Sequence, residues 1–276
     1  MPKGTVNRIL SVAEVDGFGN NALIYMQGCN FNCQFCNAPE RINHCTGCGF
    51  CIESCTVGAL TLGDNGVEFN PELCTWCNDC VNACNYGSTP KSQTLSPNQI
   101  MKIIAKKREQ ITGIMISGGE SSLQQGFITE LFKLAKVDGL NTYVVSNGSL
   151  AFEPELLELC DGLVLTLKAY DRDRHIVITG KDNDQVLANL QLLMQMGKLR
   201  EVRLVIIPEL LDNQQNVIEI GKLIAANNPN LRYKLIRYST ERVRSEFGLN
   251  LVPSDEVMNE LAALALTSGC NNVVMR

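Results

Sequence analysis

The sequence predicts an α/β protein whose strands and helices alternate around a parallel sheet curled into a full or partial barrel. Two observations lead there. From about Leu95 onward, stretches with apolar residues at three- and four-residue spacing take turns with short β-branched runs. At 276 residues and 45% hydrophobic composition, the chain is also large and apolar enough to bury a sizeable core.

The first strand is expected at Ala22 to Met26, where apolar residues are continuous. Helical spacing then predicts helices over Pro97 to Arg108, Ser122 to Val137, Pro154 to Cys160, Asp184 to Met196, Asn213 to Ala226 and Ser254 to Thr267. Between them, Ile114 to Ser117, Thr142 to Val145, Leu163 to Leu167, Val202 to Ile207 and Tyr233 to Ile236 read as strands, with a possible last one at Asn272 to Met275. That makes six or seven βα units, and in such an array the active groups lie where strands end.

Composition narrows the function. The apolar runs are far shorter than the roughly 20 residues of a membrane-spanning helix, and the first 17 residues lack a continuous apolar core or a small-residue cleavage site. A net charge of -5 with scattered Lys and Arg is not the electrostatic footprint of a nucleic-acid binder. Neither a membrane nor a nucleic acid is an expected partner. Thirteen cysteines in a chain expected to stay in the reducing cytoplasm argue for metal rather than disulfides. Cys160 and Cys270 stand apart from the other eleven and read as packing residues. His44 and His175 abut the cysteine-rich segment and sit in a polar loop, respectively, which gives histidine acid-base chemistry little support.

Residues 44–86 break the alternation and carry an internal repeat. Cys45, Cys48, Cys51 and Cys55 recur, with identical gaps, as Cys74, Cys77, Cys80 and Cys84, a shift of 29 residues. Cys-x2-Cys-x2-Cys-x3-Cys is the bacterial two-cluster ferredoxin spacing, in which three thiolates wrap one cube and the fourth reaches to the other. On that rule Cys45, Cys48, Cys51 and Cys84 hold one [4Fe-4S] cluster, and Cys74, Cys77, Cys80 and Cys55 hold a second. Zinc sites are the alternative, but zinc ribbons pair two Cys-x2-Cys hooks per metal. The proline that usually follows the fourth cysteine is replaced by Thr56 and Asn85. The segment reads as a domain inserted into a barrel made of 1–43 and 87–276.

Upstream, directly after the first strand, lies Cys29-x3-Cys33-x2-Cys36. Three thiolates leave one iron of a cube open, and an open coordination position marks a catalytic site. This motif, with Phe35 before its last cysteine, resembles the signature of radical S-adenosylmethionine enzymes. Val15-Asp16-Gly17-Phe18-Gly19 and Ser117-Gly118-Gly119-Glu120 are similar to motifs of glycyl-radical-enzyme activating enzymes, and the two-cluster insert resembles the YjjW-type branch. The resemblance extends over nearly the whole chain and weakens after about Tyr238.

The resemblance implies a partial (β/α)6-type TIM barrel, S-adenosylmethionine and three [4Fe-4S] clusters. It assigns Phe35, Asn37, Gly118, Gly119, Glu120, Ser146, Asn147, Lys168 and Arg203 to the cofactor. It places Asp16 near an incoming substrate loop and gives Lys168 a catalytic as well as a binding part. Each also has a plain reading: Gly118-Gly119 and Ser146-Asn147 as turns, Asp16 as an Asp-Gly turn, and Lys168 and Arg203 as solvated charges. Val145 and Thr166 stand where relatives carry aspartates, so little dependence on a small monovalent cation is expected. The activity implied is that of an anaerobic cytoplasmic activase, supplied with electrons by a flavodoxin or ferredoxin, that takes a Cα hydrogen from a glycine of a partner glycyl radical enzyme. A radical enzyme acting directly on a small molecule or peptide shares every cluster residue, whereas a pure electron carrier leaves Cys29, Cys33, Cys36 and Gly118 to Glu120 without purpose.

Overall fold

The computed structural model describes residues 2–244, 247 and 249–276. The chain forms two compact units, the first running to Asn30 and resuming over Ala38–Leu140, the second made of Phe31–Asn37 and Asn141–Arg276.

In the first unit, strands β1 (Gly4–Val15) and β2 (Gly19–Met26) form an antiparallel hairpin, turned at Gly17 and Gly19, both in the left-handed region. β1 is absent from the sequence expectation because its side chains are mostly half-exposed and its apolar residues do not alternate strictly. The Asp16 loop is therefore the tip of a hairpin, with Asp16 exposed. Strands β3 (Leu60–Gly63) and β4 (Gly66–Phe69) make a second hairpin, followed by the short helix α1 (Asp79–Asn82). Strand β5 (Gln93–Leu95) returns antiparallel to β1. Helix α2 (Pro97–Ala105) starts at Ser96, whose hydroxyl accepts from Gln99 N while the Gln99 side chain accepts from Ser96 N, a capping box. Strand β6 (Gly113–Gly118) runs parallel to β2, with Asn21 opposite Gly113 and Met26 opposite Gly118. Helix α3 (Gln125–Val137) buries Phe127, Ile128, Leu131 and Phe132.

The second unit is built from parallel ladders. Strands β7 (Asn141–Ser146), β8 (Gly162–Leu167), β9 (Leu199–Ile206), β10 (Arg232–Arg237) and β11 (Val273–Met275) pair in that order. Helices α4 (Pro154–Leu159), α5 (Arg172–Thr179), α6 (Asp184–Gln195), α7 (Asn213–Asn227) and α8 (Asp255–Thr267) connect them. Val202, Leu204 and Ile206 alternate as a fully buried face of β9. Its other face carries Glu201 and Arg203, in register with Arg232 and Lys234 of β10.

Helix α5 corrects one expectation. His175 lies not in a polar loop but on this helix, with no solvent exposure. Arg172, Asp173 and Arg174 make the segment read as polar, yet Asp171 caps it by accepting from Arg174 N at 2.7 Å and Gly180 ends it at φ +81°. His175 Nδ1 lies 2.7 Å from the Lys181 carbonyl, an acceptor only, so Nδ1 carries a proton. Burial holds its pKa below the ordinary 6.5, which means the unfolded chain takes up a proton here before the folded one does. The stability this group contributes is complete above the unfolded value and is lost as pH falls through and below it. Wild type should lose more stability than His175→Gln when urea midpoints are compared at pH 7.5 and 5.5; equal losses would show that the buried ring contributes nothing to acid sensitivity.

Candidate active site and cysteine centres

In the first unit, backbone contact dominates around the candidate residues Gly118 and Gly119. Gly118, at the end of β6, has φ +126°, and a Cβ there would overlap the Met26 backbone, with Met26 Cα at 2.9 Å. A Cβ on Gly119 would overlap the Gly28 carbonyl oxygen and lie 2.8 Å from the Arg41 carbonyl oxygen. The missing side chains thus bring β6 against the chain's own loop after β2. Gly119 N donates to Met26 O at 3.0 Å, Glu120 N to Gly28 O at 2.7 Å, and Cys29 N to Ile42 O at 3.1 Å. Glu120 is buried, and its carboxylate accepts from Ser122 N at 2.8 Å, capping the turn that follows. Gln27, which no sequence motif marks for a role, ties this loop together. Its amide donates to the carbonyls of Glu40 and Asn43 and accepts from Asn7 Nδ2, all within 2.8 Å.

The second unit holds the remainder of the three-cysteine motif. Asn32 N and Gln34 N donate to the carbonyls of Thr179 and Ile178, fixing the segment on the end of α5. Phe31 meets the His175 ring edge to face, centroids 5.3 Å apart. Cys33 and Phe35 are buried, Cys36 half-buried and Asn37 exposed. Burial pushes the Cys33 thiol up to about 11, opposed chiefly by the positive charge of Lys168. Lys168, just past β8, lies 5.8 Å from the centre of the Phe35 ring. Arg244 donates to the Cys33 carbonyl at 3.0 Å. Ser146 and Asn147 form a turn after β7: Gly148 N donates to Ser146 Oγ and Ser149 N to Asn147 Oδ1. Arg203 pairs with the fully buried Glu201, which also pairs with Arg232 at 2.8 Å. Cys160 and Cys270 are buried in the core of this unit, their thiols donating to the carbonyls of Gly162 and Gly221.

Over residues 44–86 the sequence repeat reappears as geometry. Gly47 N and Trp76 N each donate to the sulfur two residues back, Cys45 and Cys74, at 3.4 Å. Ala59 N and Ser88 N each donate to the sulfur four residues back, Cys55 at 3.3 Å and Cys84 at 3.4 Å. Gly47, Gly49 and Gly58 have left-handed backbones, and so do Trp76, Asn78 and Gly87, each 29 residues on. Cys51 and Cys80 are buried about Leu60 in one small core. Cys55, Cys74, Cys77 and Cys80 line a single cavity of about 290 Å³, counting its open mouth, together with Leu60, Phe69 and Lys91. Burial raises the Cys80 thiol, with Lys91 the largest opposing influence. Among the described residues no three His, Cys, Asp or Glu side chains converge as the ligands of a single ion do. The donor set, thiols in Cys-x2-Cys loops whose sulfurs receive backbone N–H groups, fits iron–sulfur clusters.

A family model described as the Radical SAM superfamily matches residues 23–220, well over half of the chain. The chain belongs to the radical SAM superfamily. Membership implies S-adenosylmethionine and a [4Fe-4S] cluster. The chain is 29% identical to the trans-4-hydroxy-L-proline dehydratase activating enzyme of Clostridioides difficile, across 94% of this chain and 95% of that one. It is 27% identical to the pyruvate formate-lyase-activating enzyme of Streptococcus mutans, across 86% and 78%. SuiB of Streptococcus suis, solved bound to S-adenosylmethionine, shares the fold at a TM-score of 0.61 and 13% identity, over 92% of this chain and 49% of SuiB. This chain therefore spans about half the length of SuiB.

As an α/β radical SAM fold, the protein carries its cysteine loop after β2, and the glycines of β6 hold that loop by direct backbone contact. Gly119→Ala should lower the melting temperature of the metal-free protein by several degrees. Gly126→Ala, in α3 where nothing lies within 4 Å, should match or slightly exceed wild type, since Ala is favoured over Gly by about 1 kcal/mol in helices. Equal melting temperatures for wild type and Gly119→Ala would refute the contact.

Proposed function

We propose that this protein is a glycyl-radical-enzyme activating enzyme with three [4Fe-4S] clusters, working in the reducing cytoplasm. The observation that carries the activase reading is the near full-length resemblance to the Clostridioides difficile activating enzyme, 95% of which is covered. The sequence spacing assigns the catalytic cluster to Cys29, Cys33 and Cys36, and two relay clusters to the repeat, Cys45, Cys48, Cys51 and Cys84 for one and Cys74, Cys77, Cys80 and Cys55 for the other. Cys29, Cys33 and Cys36 would hold a cluster that, once reduced, would supply the single electron needed to cleave S-adenosylmethionine to methionine and a 5'-deoxyadenosyl radical, and that radical would take the Cα hydrogen of a partner glycine and leave as 5'-deoxyadenosine.

The chain's own residues bind and orient. Gly118, Gly119 and Glu120 present backbone and a buried carboxylate to the cofactor's amine. Lys168 faces its carboxylate, and Arg203, held by Glu201, stands ready for carboxylate or ribose. Ser146 and Asn147 would offer hydroxyl and amide groups to the ribose, while Phe35 and Asn37, on either side of Cys36, would also bind the cofactor. Asp16, at the tip of the β1–β2 hairpin, meets the partner's glycyl loop, and a flavodoxin or ferredoxin delivers electrons to the insert. With Val145 and Thr166 neutral, Lys168 holds the carboxylate without a bridging potassium or sodium ion.

Anaerobically reconstituted protein should bind about twelve irons, and replacing Cys29, Cys33 and Cys36 by Ala should leave about eight and abolish 5'-deoxyadenosine formation. With a partner glycyl radical enzyme and dithionite, an organic radical doublet should appear in the partner's spectrum. Radical on a small molecule with no partner glycine ever modified would overturn the activase reading, and about two zinc with about four iron per chain would overturn the relay clusters.

A further inference from the structure

The two cysteine repeats are close copies in backbone and hydrogen bonding, and while an acid is exchanged for an uncharged residue in each direction (Phe50 to Asp79, Glu53 to Asn82), only the second repeat gains a cation. At the shift of 29 residues, Gly47 corresponds to Trp76, Gly49 to Asn78 and Leu62 to Lys91. These three differences meet. Lys91 Nζ donates to Asn78 Oδ1 at 2.9 Å and lies 5.1 Å from the centre of the Trp76 ring. Arg8 of β1 stacks on the same ring at 4.3 Å, and Phe69 meets it edge to face at 6.1 Å. Trp76 is a bulky residue at φ +61°, a conformation that persists only when its surroundings over-determine it. The two cations and Phe69 supply that determination.

Lys91 is 4% exposed and lines the cavity of Cys55, Cys74, Cys77 and Cys80, whereas its counterpart Leu62 is 69% exposed and carries no charge. Among the described residues this buried ammonium has an amide and an aromatic face for partners and no carboxylate in an ion pair. A cluster held by four thiolates carries net negative charge and supplies a counter-charge across that cavity. Reduction adds one electron, leaves every bond in place and makes the cluster more negative, so a buried cation favours the reduced form, with little screening by solvent.

Building on the two-cluster reading of the insert, we propose that Lys91, seated on Trp76 and Asn78, raises the reduction potential of the cluster held by Cys74, Cys77, Cys80 and Cys55 above that of its twin, so that an electron entering the insert comes to rest there. Lys91 acts through its field on the cluster and touches no reacting atom.

The test is an anaerobic redox titration, followed by electron paramagnetic resonance, of the full chain carrying Ala at positions 29, 33 and 36, so that only the insert's clusters respond. Two one-electron steps are expected. Lys91→Met should move the higher step down toward the lower one, changing the electron's distribution between the clusters at least tenfold, about 59 mV for one electron, while Lys91→Arg holds it in place. Asn78→Asp sets a carboxylate against the ammonium with the lysine retained and should move the same step in the same direction. It decides the matter if Lys91→Met fails to hold its cluster. Unmoved steps in variants that retain about eight irons, or a shift confined to the lower step, would overturn the proposal. Absence of iron from the insert of the parent protein would instead overturn the two-cluster reading on which it rests.

Discussion

The contact on which the rest of the first unit depends is backbone on backbone, where Gly118 and Gly119 pass Met26, Gly28 and Arg41 with no room for a Cβ. Parallel pairing sets Met26 opposite Gly118, so the strand that ends in the cysteine loop and the strand that ends in Ser-Gly-Gly-Glu finish at the same level. From that level Glu120 N reaches the Gly28 carbonyl and Gly28 N reaches the Arg41 carbonyl. A chain of main-chain bonds thus holds the loop without help from side-chain packing. Gln27 adds side-chain bonds to it, donating to the buried Glu40 carbonyl and to the Asn43 carbonyl, which Ser88 Oγ also serves; a buried carbonyl left without a donor costs about 1–3 kcal/mol.

The cysteine-rich segment rests on a different principle. A stretch of about 40 residues cannot bury enough apolar surface to hold itself together, and segments of that size usually rely on metals or disulfides. Here the shared core is Cys51, Leu60 and Cys80 with a few half-buried neighbours, while Phe50 and Leu62 are 66% and 69% exposed. Two of the three central residues are themselves thiols. Metal binding to such a segment is part of its folding free energy, so the hairpin β3–β4 and the left-handed turns at Gly47, Gly49 and Gly58 form the frame on which cluster assembly would draw.

Much of this was legible in the sequence, for identifiable reasons. The βα alternation after Leu95 could be read because parallel strands buried on both faces leave continuous apolar runs such as Leu163 to Leu167. β1 could not, since an antiparallel strand with half-exposed side chains leaves no such run. Helix α5 was hidden by its composition: its first turn is charged, and its few buried residues, His175, Ile178 and Thr179, are not a hydrophobic stripe. The glycine pair was visible as a motif, but its reason was not, because the carbonyl that excludes a Cβ at Gly119 belongs to Gly28, distant in sequence. The cysteine repeat was fully visible. The N–H groups aimed at its sulfurs and the cationic seat around Trp76 were not, since Arg8 and Lys91 lie outside the segment and only the fold returns them to it.

That return has an electrostatic logic. Between residues 44 and 86 the chain carries Glu53, Asp64, Glu68, Glu72 and Asp79 and no Lys or Arg at all, so these five acids match the whole chain's net charge of -5. Two clusters held by thiolates would add further negative charge to an already acidic body, and like charges at about 4 Å repel by roughly 4 kcal/mol at an effective dielectric of 20. The segment has no cation with which to answer this. Its frame supplies two, one from β1 and one from the chain that leaves toward β5, and both converge on Trp76 in the second repeat rather than on Gly47 in the first. Two sites related by the repeat would thereby lie in an asymmetric field, set jointly by Trp76 and Asn78 within the second repeat and by the two cations that the flanking chain brings to them.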